Sequence, residues 1–405
     1  MLPGHRRTLT GLRLVSQGIQ NPVGDSAGAV AGAVVGAAAA AGVVGYLAAV
    51  QAQDLPGAKW SVGLRMPGGT LADVDAALAD GSVVRSWPFR GTLHFVAGVD
   101  LRWMLDLTAT RTLAGAATRH RQLGLHPETF ALAHRVAVDA LEGHRNLTRD
   151  ELFAVFRTHG IATDANRGSH LLWYLSHHKV LCFGPMKGAA QTIVLLDEWI
   201  SQSTARQLTR DESLGELARR YFSARGPATV KDFLWWSGLL LKDATLGIEL
   251  AGDALESMVV DDRTYLRAAR GGSDDDWPRG DGSAIRRSAL RGSAGVGSDG
   301  EASDAASANV HLLPGFDEYL LGYSDRSAPL APEHMERVVP SSNGLFLPTI
   351  VAGGHVAGTW RRHATSKRVT VTAEPFEPFS AVQHASFTSA AERYARYLGL
   401  ALASS

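Results

Sequence analysis

The sequence predicts an α+β protein: three tandem winged-helix units, then a C-terminal β-rich region with a closing helix. Three observations lead there. Short helices followed by a strand pair occur three times before residue 270, paired-strand signals return after residue 309, and the stretch between is too polar to build a core.

The first unit, residues 1–125, is the loosest. Thr70 in "GTLADVDAALADG" stands where an N-cap belongs, and "VVRSWPFRGTLHFVAG" reads as two strands joined at Arg90-Gly91. The second unit, 126–205, is the clearest. Thr148 and Glu151 in "NLTRDELFAVFRTHG" fit a capping box, and Gly160 fits a helix stop. A second helix follows in "DANRGSHLLWYLSHHKV"; "LCFGPMKGAAQTIVLLDEW" then reads as strand, turn, strand, the wing. In the third unit, 206–269, Gly226-Pro227 separates two helices, Gly238 ends the second, and Asp261-Asp262 turns a hairpin in "MVVDDRTYL".

Residues 270–309 collapse into Gly, Ser, Asp, Ala and Arg, so a disordered insertion is expected. Its G-x-G-x-x-G, Gly295 to Gly300, has no strand before it and no helix after it, and a dinucleotide site is not expected. In the last part, 310–405, Gly353-Gly354 turns a hairpin, "RVTVTAEPF" adds a strand, and residues 381–403 read as the closing helix.

Composition narrows the function classes. The 405 residues are 45% apolar and 20% charged, enough for several cores. Its 40 basic and 40 acidic side chains cancel, which argues against a uniformly basic surface but not against a local basic face. Only six of the cations are lysine. Arginine suits bidentate phosphate and base contacts, although GC-rich coding produces the same excess. Cys182 is the single cysteine, which excludes a disulfide framework and a cysteine-based zinc site and points to a reducing cytoplasm. The N-terminus lacks the apolar segment of a signal peptide. Residues 27–50 run 24 positions without a charge, but alanine and glycine give little drive for insertion. A helix packed inside a domain, or a partly disordered insertion, is expected there, and no membrane partner.

Several constellations bear on chemistry. His177-His178 has no third ligand at metal spacing, so solvated helix-end histidines are expected and no metal. There is no G-x-S-x-G elbow, and Cys182 falls in an apolar strand, so nucleophilic catalysis has no support. Arg85, Arg90 and His94 lie on or beside the first unit's strands; Trp360, Arg361, Arg362 and His363 lie in "GTWRRH" of the late hairpin. Each alone fits a solvated strand end equally well. Together they suit a β-ribbon that grips phosphates and probes a groove.

"LAAVQAQDLPG" places Gln51 and Gln53 two apart, after a helix-like run and before a turn at Pro56-Gly57. In extended backbone such residues face one side, with Ala52 facing away. Paired carboxamides accept from and donate to a water without ionising. They suit a reaction whose nucleophile needs only placement. A pair of surface glutamines fits the spacing as well.

The stretches "LAAVQAQD", "VVRSWPFRGTLHFV", "GPATVKDFLWWSGL", "LLPGFDEYLLGYSDRS" and "NGLFLPTIVAGGHVAGTWRR" together resemble the AlkZ-like winged-helix DNA glycosylases, a family of azinomycin self-resistance and bacterial interstrand-crosslink repair. They follow the family's order across nearly the whole chain. The resemblance implies three winged helices around a concave channel and a catalytic Gln, apolar, Gln motif falling on Gln51, Ala52 and Gln53. In another branch aspartate takes the last place. Arg326 in "GYSDRS" joins Arg90, His94, Trp360, Arg361 and Arg362 as expected DNA-binding residues. The implied activity is monofunctional hydrolysis of the N-glycosidic bond of bulky N-alkylated purines in double-stranded DNA, including crosslink unhooking. No metal or organic cofactor is expected, and Lys59 is not expected to act as a nucleophile. A monomer in the cytoplasm, on the nucleoid, is expected. The alternative is a non-catalytic winged-helix DNA-binding or regulatory protein whose glutamines only bind.

Overall fold

The computed structural model describes residues 3–20, 36–269, 309–340 and 344–403. The expected disordered insertion with its glycine motif, Asn309 excepted, lies outside the described residues, as does the first part of the Ala/Gly tract.

Helices α1 (Pro3–Ser16) and α2 (Ala37–Tyr46) come first. The Ala/Gly tract ends as α2, which buries Ala40, Val43 and Val44 within ten residues. Among the described residues no helix is long and apolar enough to cross a membrane. Strand β1 (Val50–Gln51) carries the start of the glutamine motif and α3 (Leu55–Gly63) follows. Here one expectation is corrected. Pro56-Gly57 is not a turn: Pro56 occupies the first turn of α3, where its missing N–H leaves nothing unsatisfied, and Asp54 is the N-cap residue.

Thr70 and Asp73 form a capping box at α4 (Leu71–Ala79). Strands β2 (Val83–Phe89) and β3 (Thr92–Ala97) then turn at Arg90-Gly91, with positive φ of 53° and 66°. Helices α5 (Leu101–Gln122) and α6 (Pro127–Leu141) lead to β4 (Leu147–Thr148). The Thr148–Glu151 capping box starts α7 (Arg149–Thr158), and α8 (Arg167–His177), β5 (Leu181–Lys187) and β6 (Ala190–Leu195) complete the second segment. The third runs through α9 (Leu196–Trp199), α10 (Arg210–Arg225), α11 (Val230–Ser237) and α12 (Leu241–Ala251) to β7 (Leu255–Val260) and β8 (Arg263–Ala268). Gly238 caps α11 in the left-handed region, and Asp261-Asp262 turns the hairpin with φ of 46° and 57°.

The C-terminal part contains β9 (Val310–Leu313), α13 (Glu318–Leu321), α14 (Met335–Val338), β10 (Thr349–Ala352), β11 (His355–Ala364) and β12 (Arg368–Pro375). The closing helix α15 (Ala381–Leu398) stops earlier than expected, because Gly399 takes a left-handed cap and β13 (Ala401–Leu402) adds a parallel strand to β12.

The first two hairpins share one six-stranded sheet, ordered β1-β3-β2-β5-β6-β4, joined where Arg85 of β2 pairs with Phe183 of β5. Strands β13-β12-β11-β10-β9 make a second sheet, and β7-β8 stand as a pair. One core unites distant chain ends: Val43, Trp60 and Val74 pack with Leu312, Ile350, Trp360 and Tyr394. A second joins β3 and α5 to α10 and α11 through Val96, Met104, Leu217 and Trp236. A third, with Phe130, Leu152, Leu171 and Ile193, belongs to the α6–β6 segment.

Candidate active site

The backbone that delivers the glutamines is held by a buried ion pair. After α2, Ala48 takes a positive φ of 60°, and Arg225 donates to the carbonyls of Leu47 at 2.7 Å and Ala49 at 2.8 Å. Arg225 also pairs with Glu318 at 2.7 Å, and both side chains are fully buried. The Oε1 of Glu318 accepts the N–H of Gln51 at 3.0 Å, while Oε2 also accepts Trp236 Nε1 at 2.9 Å. Burial opposes the Glu318 charge, yet Arg225 and its hydrogen bonds hold the carboxyl below its usual range. On β3, the Ala52 N–H donates to Leu93 O at 2.7 Å. Four backbone polar groups between Leu47 and Ala52 thus have fixed partners.

Asp317, next to Glu318, makes a second buried clamp. It takes a bidentate pair from Arg65, both bonds at 2.9 Å, and Ser61 at 2.7 Å. Its Oδ1 also accepts the N–H of Tyr319, capping α13. That cap fixes where Glu318 leaves the chain.

The two glutamines are anchored separately. Gln51 is buried, and its Oε1 accepts from Arg90 Nη2 at 3.1 Å. Gln53 is exposed, and its Oε1 accepts the Leu93 N–H at 3.3 Å. Ala52, between them, is fully buried. Neither Nε2 group has a partner among the described residues, so each keeps donors for water or substrate. Arg90 reaches Gln51 because its guanidinium is also held by the Trp236 carbonyl and lies 4.9 Å from the Trp235 ring. Burial brings its pKa down to about 10, and it stays charged at neutral pH.

A cavity of 530 Å³ opens beside Gln53, between β2, β5 and β6 and the start of α8. Arg85 forms part of its floor, donating to Ala52 O at 2.9 Å and Gln191 Oε1 at 3.3 Å. Burial lowers Arg85 to about 10 as well.

Two expected DNA contacts are corrected. His94 is 0% exposed and its Nδ1 bonds Thr92 O at 2.9 Å. Burial, then Arg90, push its pKa down to about 3, so it stays neutral inside the sheet. Trp360 is 2% exposed; its Nε1 donates to Leu313 O at 2.8 Å and its ring meets Tyr394 edge-on at 5.2 Å. Both face the covered side of their sheets. Arg361 and Arg362 are exposed, the first paired with Glu374 at 3.0 Å and the second on Tyr394. Arg326 is half-buried, with its guanidinium 4.8 Å from the Trp235 ring, so Trp235 lies near both Arg90 and Arg326.

His177 is not solvated either: it is buried against Trp173 at 4.0 Å, and burial lowers its pKa to about 4. Burial pushes the Cys182 thiol up to about 12. Lys59 is buried and ion-paired with Asp75. Among the described residues no three His, Cys, Asp or Glu side chains cluster as metal ligands.

Sequence reasoning missed Glu318, Arg225, Asp317 and Arg65. The available signal was "GFDEYLL": two adjacent acids inside an apolar stretch can be buried only if cations elsewhere meet them.

The model of the AlkZ-like DNA glycosylase family matches residues 44–397. An interstrand DNA cross-link repair glycosylase of Streptomyces sahachiroi is 27% identical over 333 residues, covering 79% of this chain and 81% of the relative. The solved structure of the S. sahachiroi DNA glycosylase AlkZ superposes with a TM-score of 0.70 and 25% identity, over 98% of both chains.

Proposed function

Because this chain belongs to the AlkZ-like DNA glycosylases and is a DNA-acting hydrolase, we propose that it excises N-alkylated purines of the N7-alkylguanine type, with Gln51 and Gln53 placing the water. Alkylation at N7 makes the base cationic, so the C1′–N9 bond is already weak. The bond breaks with its electron pair going to N9, which neutralises the base. Water oxygen joins C1′ and its proton passes to solvent, leaving an abasic site and a free base. Neutral carboxamides suffice for this, since the step needs a positioned water and charge complementary to an oxocarbenium-like sugar rather than a strong base.

The observation that carries the reading is the anchoring of the motif. Glu318 and Arg225 hold its backbone, Arg90 and Leu93 hold the two Oε1 atoms, and both Nε2 groups remain open. Such groups reorganise little during reaction. In this reading the three helix-and-hairpin segments act as winged helices, the first two sharing a sheet. Arg90 then serves Gln51 more than it serves phosphates. The substrate is double-stranded DNA, crosslinks included, and the protein works as a monomer on the nucleoid in the cytoplasm.

The test is incubation with a duplex containing 7-methylguanine in the presence of a chelator, followed by alkali. Cleavage at the lesion is expected. DNA binding without base release under single-turnover conditions would instead favour a non-catalytic DNA-binding role.

A further inference from the structure

The leucine triplet after α11 is divided between core and solvent. Leu239 is 8% exposed and joins Trp236 in the second core, whereas Leu240 and Leu241 are 52% and 62% exposed. A single exposed leucine is ordinary; two side by side leave a sizeable apolar knob in water. The position adds to the cost. Leu240 is the N-cap residue of α12, with extended backbone and no side-chain cap bond. Leucine is among the poorest N-caps, since it cannot accept an orphan N–H. Helices α4, α7, α10, α11 and α15 all start with capping boxes. Here the chain gives up local stability to display two leucines, a departure expected at functional places.

The knob is fastened beside the glutamines. Arg90, which holds Gln51 Oε1, also donates to the Trp236 carbonyl. Gly238 packs on the same side chain: a Cβ there would sit 4.0 Å from Arg90 Cγ. Leu240 follows two residues later, a span of at most about 7 Å. Arg111 of α5 donates to the Gly238 carbonyl and fixes the loop again. The rim is positive. Arg111 and Lys242 are exposed and have no carboxylate partner among the described residues, while Asp243 is buried and paired with Arg210 at 2.9 Å. An apolar tip with cations around it complements a base step between phosphates.

We propose that Leu240 and Leu241 form a wedge that enters the base step beside the lesion, while Arg111 and Lys242 hold the flanking phosphates. The proposal rests on the reading that Gln51 and Gln53 act on a base of duplex DNA. A nucleotide inside a stacked duplex cannot present C1′ to the two amides, and displacing it costs its stacking. Leucines that fill the opened step offset that cost and keep the sugar at the motif.

The test uses Leu240→Ser, which supplies the missing cap, and Leu241→Ala. Leu240→Ser should keep or raise the thermal transition, since serine caps better than leucine. Single-turnover excision of 7-methylguanine paired with cytosine should fall roughly tenfold or more in each variant, the rate equivalent of part of one unstacked step. With the lesion opposite an abasic site, already loosened, the loss should shrink to within about twofold. Unstacking is read directly with 2-aminopurine beside the lesion and Gln53→Ala protein, which binds but excises slowly. Fluorescence should rise on binding, and the rise should vanish when either leucine is also replaced. A lowered thermal transition in Leu240→Ser, equal losses on both duplexes, or wild-type rates with the rise intact overturn the wedge. So does a wild-type dimer that falls apart in the variants while excision is unchanged, because the leucines would then face a second copy. If wild type releases no 7-methylguanine but the rise still depends on the leucines, the excision reading fails and the wedge stands.

Discussion

The carboxylate of Glu318 accepts the backbone N–H of Gln51 at 3.0 Å, across 267 residues of chain, and shares its other oxygen with Arg225 and Trp236. The C-terminal part of the protein thereby holds the N-terminal motif. Glu318→Gln keeps the shape but leaves Arg225 charged and uncompensated in a dry site, where breaking one half of a buried pair costs about 3–5 kcal/mol. Denaturant unfolding at neutral pH should show that loss. The double variant Arg225→Met, Glu318→Leu should regain much of the stability yet excise slowly, since Gln51 N–H has lost its acceptor. Full recovery of excision would detach the clamp from catalysis.

Gln53→Ala should slow single-turnover excision of 7-methylguanine by roughly 10²–10³ while DNA affinity stays close to wild type, because the lost contact matters chiefly in the transition state. Gln51→Ala should behave alike, with some added cost from Arg90 losing the acceptor it holds at 3.1 Å. The double variant should fall by less than the product of the two, as expected if both amides hold one water. Gln53→Asp should keep partial activity. Wild-type rates in all of these variants would reduce the motif to a polar edge.

Stability should fall on mild acidification because of His94. In the folded protein its pKa is about 3, below the 6.5 of an ordinary histidine, through burial and then Arg90. The unfolded chain therefore binds the proton first as pH drops, and stability is lost between those two values, by about 2 kcal/mol at pH 5. Asp317 and Glu318, both held low, add their own loss further down, below the usual carboxylate range. His94→Phe should reduce the pH 8 to pH 5 difference in unfolding free energy by about 2 kcal/mol, leaving the share of His177 and His311, which burial lowers to about 4. An unchanged slope would mean His94 is solvated.

Arg361→Ala combined with Arg362→Ala should weaken DNA affinity and reduce its dependence on salt by up to about two released counterions. Both side chains are exposed on β11, and Arg361 is 77% accessible even in its pair with Glu374. Excision at saturating enzyme should change much less. An identical salt slope would place this strand end off the DNA path.

Local chemistry determined a good part of this protein without help from distant residues. The N-cap at Thr70, the capping box at Thr148, the stop at Gly238 and the turns at Asp261-Asp262 and Gly353-Gly354 depend on a few neighbouring atoms, and each was readable from a short window. The glutamine motif was readable by spacing and resemblance, but alternation did not set its burial: Gln51 and Ala52 are both buried and Gln53 is exposed.

Alternation says which residues share a face, but not which face another layer will cover. That is why His94 and Trp360, read as groove-facing, lie inside: β3 is covered by its neighbours, and Trp360 packs under α15 against Tyr394. The fusion of two hairpins through Arg85 and Phe183 was hidden for the same reason, since edge pairing depends on where whole segments dock. Above all, Arg225 and Glu318 look like ordinary surface charges in a linear chain. Only folding removes both from water, and in that dry setting each charge needs the other. Caps, turns and the Gln-Ala-Gln motif follow from neighbouring residues; what holds that motif still follows from charges that meet only when the chain is folded.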